Sequence, residues 1–240
     1  MKSMSATFSK NAKVNTDAAS RRQVLSPSSS FVEIEAYKTL RTNIQFSLRG
    51  EQCKKIGITS SASGEGKSIT ILNLAISFAE VGKKVLLIDA DLRRPAIARL
   101  LREPAAIGLA NVLAELVTPK EAIHKDVYPN LDILFSGEIP PNPLELLNGE
   151  PMEKLIEEMS EVYDYILVDT PPAAVVSDAC VVANLLDGVL FLVRCGRSNK
   201  DDVKQALGSL QLIGAKLLGF VLNGVVVDPT KKYYKYYDKK

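Results

Sequence analysis

Three clusters of residues have the types and spacing to handle a polyphosphate. The first is the loop Ser60-Ser61-Ala62-Ser63-Gly64-Glu65-Gly66-Lys67-Ser68. It follows a short apolar run, Lys55-Ile56-Gly57-Ile58-Thr59, and opens a long apolar-periodic stretch from Ile69 to Val81. That is the pattern of strand, glycine-bearing loop and helix. Glycines let backbone N–H groups converge on an anion. The helix aims its unsatisfied N–H groups and its dipole at the same point. In that setting Gly66-Lys67-Ser68 reads as the end of a phosphate-binding P-loop. Lys67 would reach the terminal phosphates and the Ser68 hydroxyl would ligate Mg²⁺. Ser63, Gly64, Glu65, Gly66 and Ile69 complete the expected nucleotide contacts. Ser61 stands where the motif has its first glycine.

The other two clusters are acidic. Lys84-Val85-Leu86-Leu87-Ile88 runs into Asp89-Ala90-Asp91, with Arg93, Arg94 and the chain-breaking Pro95 behind it. Tyr165-Ile166-Leu167-Val168 runs into Asp169-Thr170-Pro171-Pro172. Short apolar runs between helical patterns are what buried parallel strands look like. Ligands of open α/β sheets sit beyond the strand carboxyl ends, so these acids are expected beside the phosphates. A strand ending in Asp facing Mg²⁺ is the Walker B arrangement.

Elements must position these groups. Helices are expected over Glu33–Leu48, Ala96–Leu101, Leu109–Leu116, Leu144–Met159 and Val203–Ile213. Further strands are expected at Leu131–Phe135, Gly188–Val193 and Leu217–Leu222, the last a core strand with Asn223-Gly224 at its carboxyl end. Strands alternating with helices imply an α/β fold, a mostly parallel central sheet with helices on both faces. On the first helix Glu35, Lys38 and Arg41 are spaced i, i+3, i+6. That reads as a solvated charged edge with one helical salt bridge, or as a stripe that meets a neighbouring subunit.

At 240 residues and 46% apolar content the chain can bury a full core. No apolar run approaches the ~20 residues that span a bilayer, and no signal-peptide core is evident. A chain that is neither secreted nor membrane-spanning is expected. Cys53, Cys180 and Cys195 are isolated and His124 is the only histidine, which argues against a metal or disulfide framework. Three buried or semi-buried thiols are expected, and His124 at the surface or a helix end. Residues 1–30 are read as a disordered basic segment, residues 31–229 as the folded domain, and residues 230–240 as a flexible tail. Four of the eight tyrosines, Tyr233, Tyr234, Tyr236 and Tyr237, lie in that tail among lysines. Such a tail could stack on single-stranded nucleic acid, rest on an anionic membrane, or accept phosphoryl groups that reverse its charge.

Together these motifs resemble the bacterial tyrosine kinases (BY-kinases) of the capsule and exopolysaccharide type, in the form whose kinase domain is a separate cytoplasmic protein. The resemblance rests on Thr59–Ser68 as Walker A, Val85–Pro95 as the family's acidic Walker A′, and Tyr165–Pro172 as Walker B. Ile139-Pro140-Pro141-Asn142-Pro143-Leu144-Glu145-Leu146-Leu147, Arg41-Thr42-Asn43-Ile44 and the tyrosine-rich end complete it, over about residues 31–240. The related septum and chromosome-partition ATPases carry a second lysine where this chain has Ser61-Ala62-Ser63. Ser63 stands where proline is usual. Lys38 replaces arginine in a helical Glu-x-x-Arg-x-x-Arg motif that the family uses for ring assembly, and lysine lacks the forked contact.

The resemblance implies a P-loop NTPase fold using ATP and Mg²⁺ to phosphorylate protein tyrosine, including its own tail between subunits. It implies Ser68, Asp91 and Asp169 around Mg²⁺, Asp89 as proton acceptor or second metal ligand, and Arg93 either neutralising phosphate or acceptor charge or pairing with surface acids. Asn223 would contact adenine, and Tyr233, Tyr234, Tyr236 and Tyr237 would accept phosphate. Glu35, Lys38 and Arg41 would form the oligomer interface. A homo-oligomeric ring, a membrane adaptor, a cognate tyrosine phosphatase and protein substrates are the implied partners, with no nucleic acid. The implied place is the cytoplasmic face of the membrane, reached through the adaptor. The competing expectation is a nucleotide-switched positioning ATPase of the septum or partition type.

Overall fold

The computed structural model describes residues 24–50 and 53–225. The tail tyrosines lie outside the described residues, as do residues 1–23. The chain runs α1 (Phe31–Ser47), β1 (Lys54–Ser60), α2 (Lys67–Ala79), β2 (Val85–Asp89), α3 (Ile97–Leu101), α4 (Leu109–Leu113) and α5 (Pro119–Ala122). Then come β3 (His124–Tyr128), β4 (Leu131–Leu134), α6 (Pro143–Leu147), α7 (Glu150–Ser160), β5 (Tyr165–Asp169), α8 (Asp178–Ala183), β6 (Gly188–Arg194), α9 (Lys200–Leu212) and β7 (Leu217–Asn223).

The strands form one sheet in the order β3-β4-β2-β5-β1-β6-β7. All neighbours pair in parallel except β3 with β4. Every residue of β2 and β5 is buried, as a strand covered on both faces requires. Alternate residues divide between two layers. Val85, Leu87, Tyr165 and Leu167 face α1, α2 and α3, where the Phe78 and Tyr165 rings stack 3.9 Å apart. Leu86, Ile88, Ile166 and Val168 face α4 and α7, and Val189 and Phe191 face α8 and α9. Helix α2 is apolar nearly all round because it lies between the sheet and α1. The central sheet and its two helical layers are therefore as expected from the alternation.

Several details differ from the sequence expectation. The folded body begins before residue 31: Leu25 is buried and its N–H donates to Asn73 Oδ1 at 2.8 Å. A capping box between Ser30 and Glu33 then starts α1. The single helix expected over 144–159 is two, α6 and α7, because Asn148-Gly149 ends the first and Pro151 suits the start of the second. Strand β3 and the short helices α5 and α8 were not foreseen. β3 is a half-exposed edge strand with little apolar periodicity. His124 opens that strand, and its ring meets Phe135 edge-on at 4.7 Å. β7 is an edge strand rather than a core one, with Phe220 and Leu222 more than half exposed. Cys53 is buried and Cys180 half-buried, whereas Cys195 is exposed.

Candidate active site

The parallel register brings the expected groups to one rim. β1 lies between β5 and β6, so the loop after Ser60 rises beside the carboxyl end of β5. β2 lies on the other side of β5, and Asp89 and Asp169 are direct register partners. Ala90 N–H donates to the Asp169 carbonyl at 2.9 Å, which fixes the two ends together.

The phosphate loop is held by its own side chains and by two other strand ends. Gly64 and Gly66 take positive φ, +77° and +109°, a region open to glycine at little cost. Glu65 is fully buried inside the loop. Its carboxylate accepts from Ala62 N–H at 2.9 Å, from Ser61 Oγ at 3.1 Å and from Ser198 Oγ. Arg194 donates to the Gly64 carbonyl at 3.2 Å. Asn223 Nδ2 donates to the Glu65 carbonyl at 2.8 Å, and its Oδ1 accepts from Gly224 N–H at 2.8 Å. A Cβ placed on Gly66 would lie 2.2 Å from Asn223 Nδ2. The carbonyls are thus tied down from outside, which leaves the loop N–H groups for an anion. Lys67 is buried at the start of α2, while Ser63 and Gly64 are exposed.

The acids sit deep. Asp89 Oδ2 accepts from Ala96 N–H at 3.2 Å and Ile97 N–H at 3.1 Å, while Oδ1 is buried with no donor. Both oxygens of Asp169 are buried without a hydrogen-bond donor. Burial pushes the Asp89 carboxyl up to about 7, with the Asp91 charge adding to the rise and the backbone N–H groups of Ile97, Ala96 and Asp91 opposing it. Burial and then the Asp89 charge hold Asp169 well above the usual carboxylate range, with Lys67 and Ser68 opposing. Asp91 Oδ1 accepts from Arg94 N–H at 3.0 Å, a turn that closes the loop after β2.

Donor-starved buried carboxylate oxygens beside a lysine suit a divalent cation with a polyphosphate. Among the described residues no group of three His, Cys, Asp or Glu forms a metal cage by itself. Mg²⁺ commonly takes one or two carboxylates and completes its shell with phosphate oxygens and water, so Ser68, Asp91 and Asp169 fit it in that mode.

Not every expected residue faces this centre. Arg93 forks onto Asp178, Nε to Oδ2 at 2.7 Å and Nη2 to Oδ1 at 3.0 Å. Asp178 has no exposure, so this pair anchors the segment after Asp91 to α8. Both polar atoms of the Asn223 side-chain amide are engaged within the protein, and its Nδ2 brackets the phosphate loop. Glu35 and Lys38 pair at 2.8 Å on the exposed face of α1. Arg41 does not join them; it donates to the Ser77 carbonyl and to Ser77 Oγ at 2.9 Å. Sequence reasoning missed Arg194, Ser198 and Asp178. The first two follow the carboxyl end of β6, where the strand-end rule could have flagged Arg194-Cys195-Gly196-Arg197-Ser198. Asp178 carries no comparable signal.

A mostly parallel sheet with a glycine-bearing phosphate loop after β1 and acids at the ends of β2 and β5 defines a P-loop nucleotide-binding protein. A model of the AAA domain matches residues 53–217. Tyrosine-protein kinase YwqD of Bacillus subtilis (strain 168) is 41% identical over 202 residues, 84% of this chain and 85% of its own length. The putative tyrosine-protein kinase CapB of Staphylococcus aureus is 36% identical over 85% of this chain and 89% of its own. Among solved structures, the chimerical protein CapA2B2 superposes with a TM-score of 0.78 at 35% identity, covering 84% of this chain and 88% of its own. The septum site-determining protein MinD of Pyrococcus horikoshii OT3 reaches 0.60 at 26% identity, over 71% of this chain and 70% of its own. The chain belongs to the bacterial tyrosine-protein kinase family, and its reaction is phosphoryl transfer to protein tyrosine.

Proposed function

We infer that the chain transfers the γ-phosphoryl group of ATP to Tyr233, Tyr234, Tyr236 and Tyr237 of a neighbouring copy. The observation that supports this best is the pairing of Asp89 with Asp169 beside Lys67 and the braced loop. Phosphoryl transfer needs positioning and charge neutralisation rather than a covalent intermediate. Lys67 and the loop N–H groups hold the β- and γ-phosphates. Mg²⁺, when bound at Ser68, Asp91 and Asp169, neutralises phosphate charge. A tyrosine hydroxyl has a pKa near ~10, so its attack at neutral pH benefits from a base. Asp89 Oδ1, like both Asp169 oxygens, is a buried acceptor without a donor, and burial raises the Asp89 carboxyl to about 7, which suits a proton acceptor. Arg93, held by Asp178, positions the Asp91 segment in this reading.

Regulation of capsule or exopolysaccharide synthesis or export, a membrane adaptor as activator, a cognate phosphatase and peripheral placement inside the membrane belong to the same proposal. They rest on the motif resemblance. Among the described residues no helix is long and apolar enough to cross a membrane, in keeping with attachment through a partner. The greater likeness to CapA2B2 than to MinD favours the kinase over the positioning ATPase.

Transfer between copies has a direct test. A chain with all four tail tyrosines changed to Phe is mixed with a Lys67→Met chain whose tail is intact, and ATP and Mg²⁺ are added. Phosphotyrosine is expected on the Lys67→Met chain. A tail that stays unmodified in the mixture, while the unaltered chain modifies its own, rules out transfer between copies.

A further inference from the structure

The turn after β6, Arg194-Cys195-Gly196-Arg197-Ser198, closes on itself. The N–H groups of Arg197 and Ser198 both donate to the Arg194 carbonyl, at 3.1 and 3.0 Å. Cys195 N–H donates to the Asn223 carbonyl at 2.9 Å, which ties the turn to the end of β7. From this one turn three side chains reach three consecutive residues of the phosphate loop. Arg197 Nη2 donates to the Ser63 carbonyl at 3.5 Å, and Arg194 Nη1 to the Gly64 carbonyl at 3.2 Å. Ser198 Oγ, set by the Arg194 N–H at 2.7 Å, donates to the Glu65 carboxylate.

A planar trans peptide unit points its carbonyl and its N–H in opposite directions. The Ser63 carbonyl shares a unit with Gly64 N–H, and the Gly64 carbonyl with Glu65 N–H. The Glu65 carbonyl, which accepts from Asn223 Nδ2, shares one with Gly66 N–H. Three successive units are thus gripped by their carbonyls, two of them by cations. Among the described residues nothing accepts from the three N–H groups on the other side. A charged donor on a carbonyl polarises the whole unit and strengthens the bond its N–H can give. We propose that Arg194 and Arg197 are positioning residues for the nucleotide, setting the affinity of the loop for a polyphosphate from behind, through the Gly64 and Ser63 carbonyls.

The role rests on the reading of this loop as the phosphate site and is independent of which tyrosine accepts. It assigns the arginines no contact with phosphate, ribose or base. Their effect follows the phosphates of a ligand and ignores the rest of it. Arg197 is exposed and Arg194 half-buried, so exchanging either side chain leaves the core intact.

The test uses the full chain and needs no kinase turnover, so a chain that binds nucleotide without modifying its tail would fail the proposed function and leave this role standing. Arg194→Met and Arg197→Met keep an aliphatic stem and lose the charge. Each is expected to weaken binding of ADP with Mg²⁺ about fivefold, and the double variant at least about 20-fold. Inorganic pyrophosphate, which has neither base nor ribose, should lose affinity by the same factors when it competes with a fluorescent ADP. Arg194→Lys, which keeps a cationic donor, should recover most of the loss. Melting temperatures should stay within about 2 °C of the unaltered chain. In nucleotide-free protein the amide nitrogen resonance of Glu65 should move upfield in Arg194→Met, and that of Gly64 in Arg197→Met. Unchanged affinities, a loss confined to ADP, or amide resonances that do not move overturn the proposal.

Discussion

Asp89→Asn is expected to raise the melting temperature of the nucleotide-free protein at pH 8 by about 5–10 °C while abolishing tyrosine phosphorylation. The stability gain follows from where the carboxyl titrates. Burial lifts it from 3.8 to about 7. Between those values the folded chain holds a proton that the unfolded chain has released. Stability therefore falls as pH rises through the window from about 4 to about 7 and is level above it. At pH 8 the folded state carries the full cost of ionising Asp89, about 4 kcal/mol at 1.36 kcal/mol per pK unit. Asparagine removes that charge, and its carbonyl oxygen can keep both bonds that Oδ2 accepts from Ala96 and Ile97. It also relieves Asp169 of its nearest like charge. Part of the gain is lost to relaxation, so about 2–3 kcal/mol should remain, at about 2–4 °C per kcal/mol for a domain of this size. The difference should vanish near pH 4, where both variants are neutral at this site. Calorimetric scans across pH 4–8 measure it, and a melting temperature that is unchanged or lower at pH 8 refutes the assignment of the buried charge.

Gly66→Ala is expected to weaken nucleotide binding by at least about 100-fold, roughly 2.7 kcal/mol. Two effects add. The backbone at φ +109° lies where an L side chain is strained, at a cost on the order of 1–3 kcal/mol. The new methyl would also sit 2.2 Å from Asn223 Nδ2. Asn223 must then leave the Glu65 carbonyl, or the loop must turn its N–H groups away from the phosphates. Gly82 serves as the control: it also has positive φ, +77°, but a Cβ there meets nothing within 4 Å. Gly82→Ala should lose some stability and keep nucleotide affinity. Titration with a fluorescent ATP analogue separates the two. Equal affinities in both variants would mean that the contact with Asn223 does not shape the phosphate site.

Much of this site was legible because it combines signals of different kinds. Val85–Ile88 and Tyr165–Val168 are apolar without interruption, which only strands buried on both faces require, and each ends in an acid. Gly66-Lys67-Ser68 is placed by the strand before it and the helix after it. Illegible were the parts whose sequence has no period. β3 reads His124-Lys125-Asp126-Val127-Tyr128, a half-wet edge strand whose pairing depends on β4 rather than on its own pattern. The bracket on the phosphate loop joins residues far apart in the chain: Glu65 to Ser198 and Asn223, and Gly64 to Arg194. Arg93 is the instructive case. Its position beside Asp89 and Asp91 left phosphate charge, acceptor charge or a surface acid as its partner, and what takes its fork is a buried carboxylate from a helix some eighty-five positions later. Spacing finds groups that one strand delivers, and it cannot find partners chosen by packing between layers.

The most direct measurement is mass spectrometry of residues 231–240 after purified protein meets ATP and Mg²⁺. Phosphate is predicted on Tyr233, Tyr234, Tyr236 and Tyr237 in the unaltered chain and on none of them in Lys67→Met. Phosphotyrosine that persists in Lys67→Met, or ATP consumption with an unmodified tail in the unaltered chain, would contradict it.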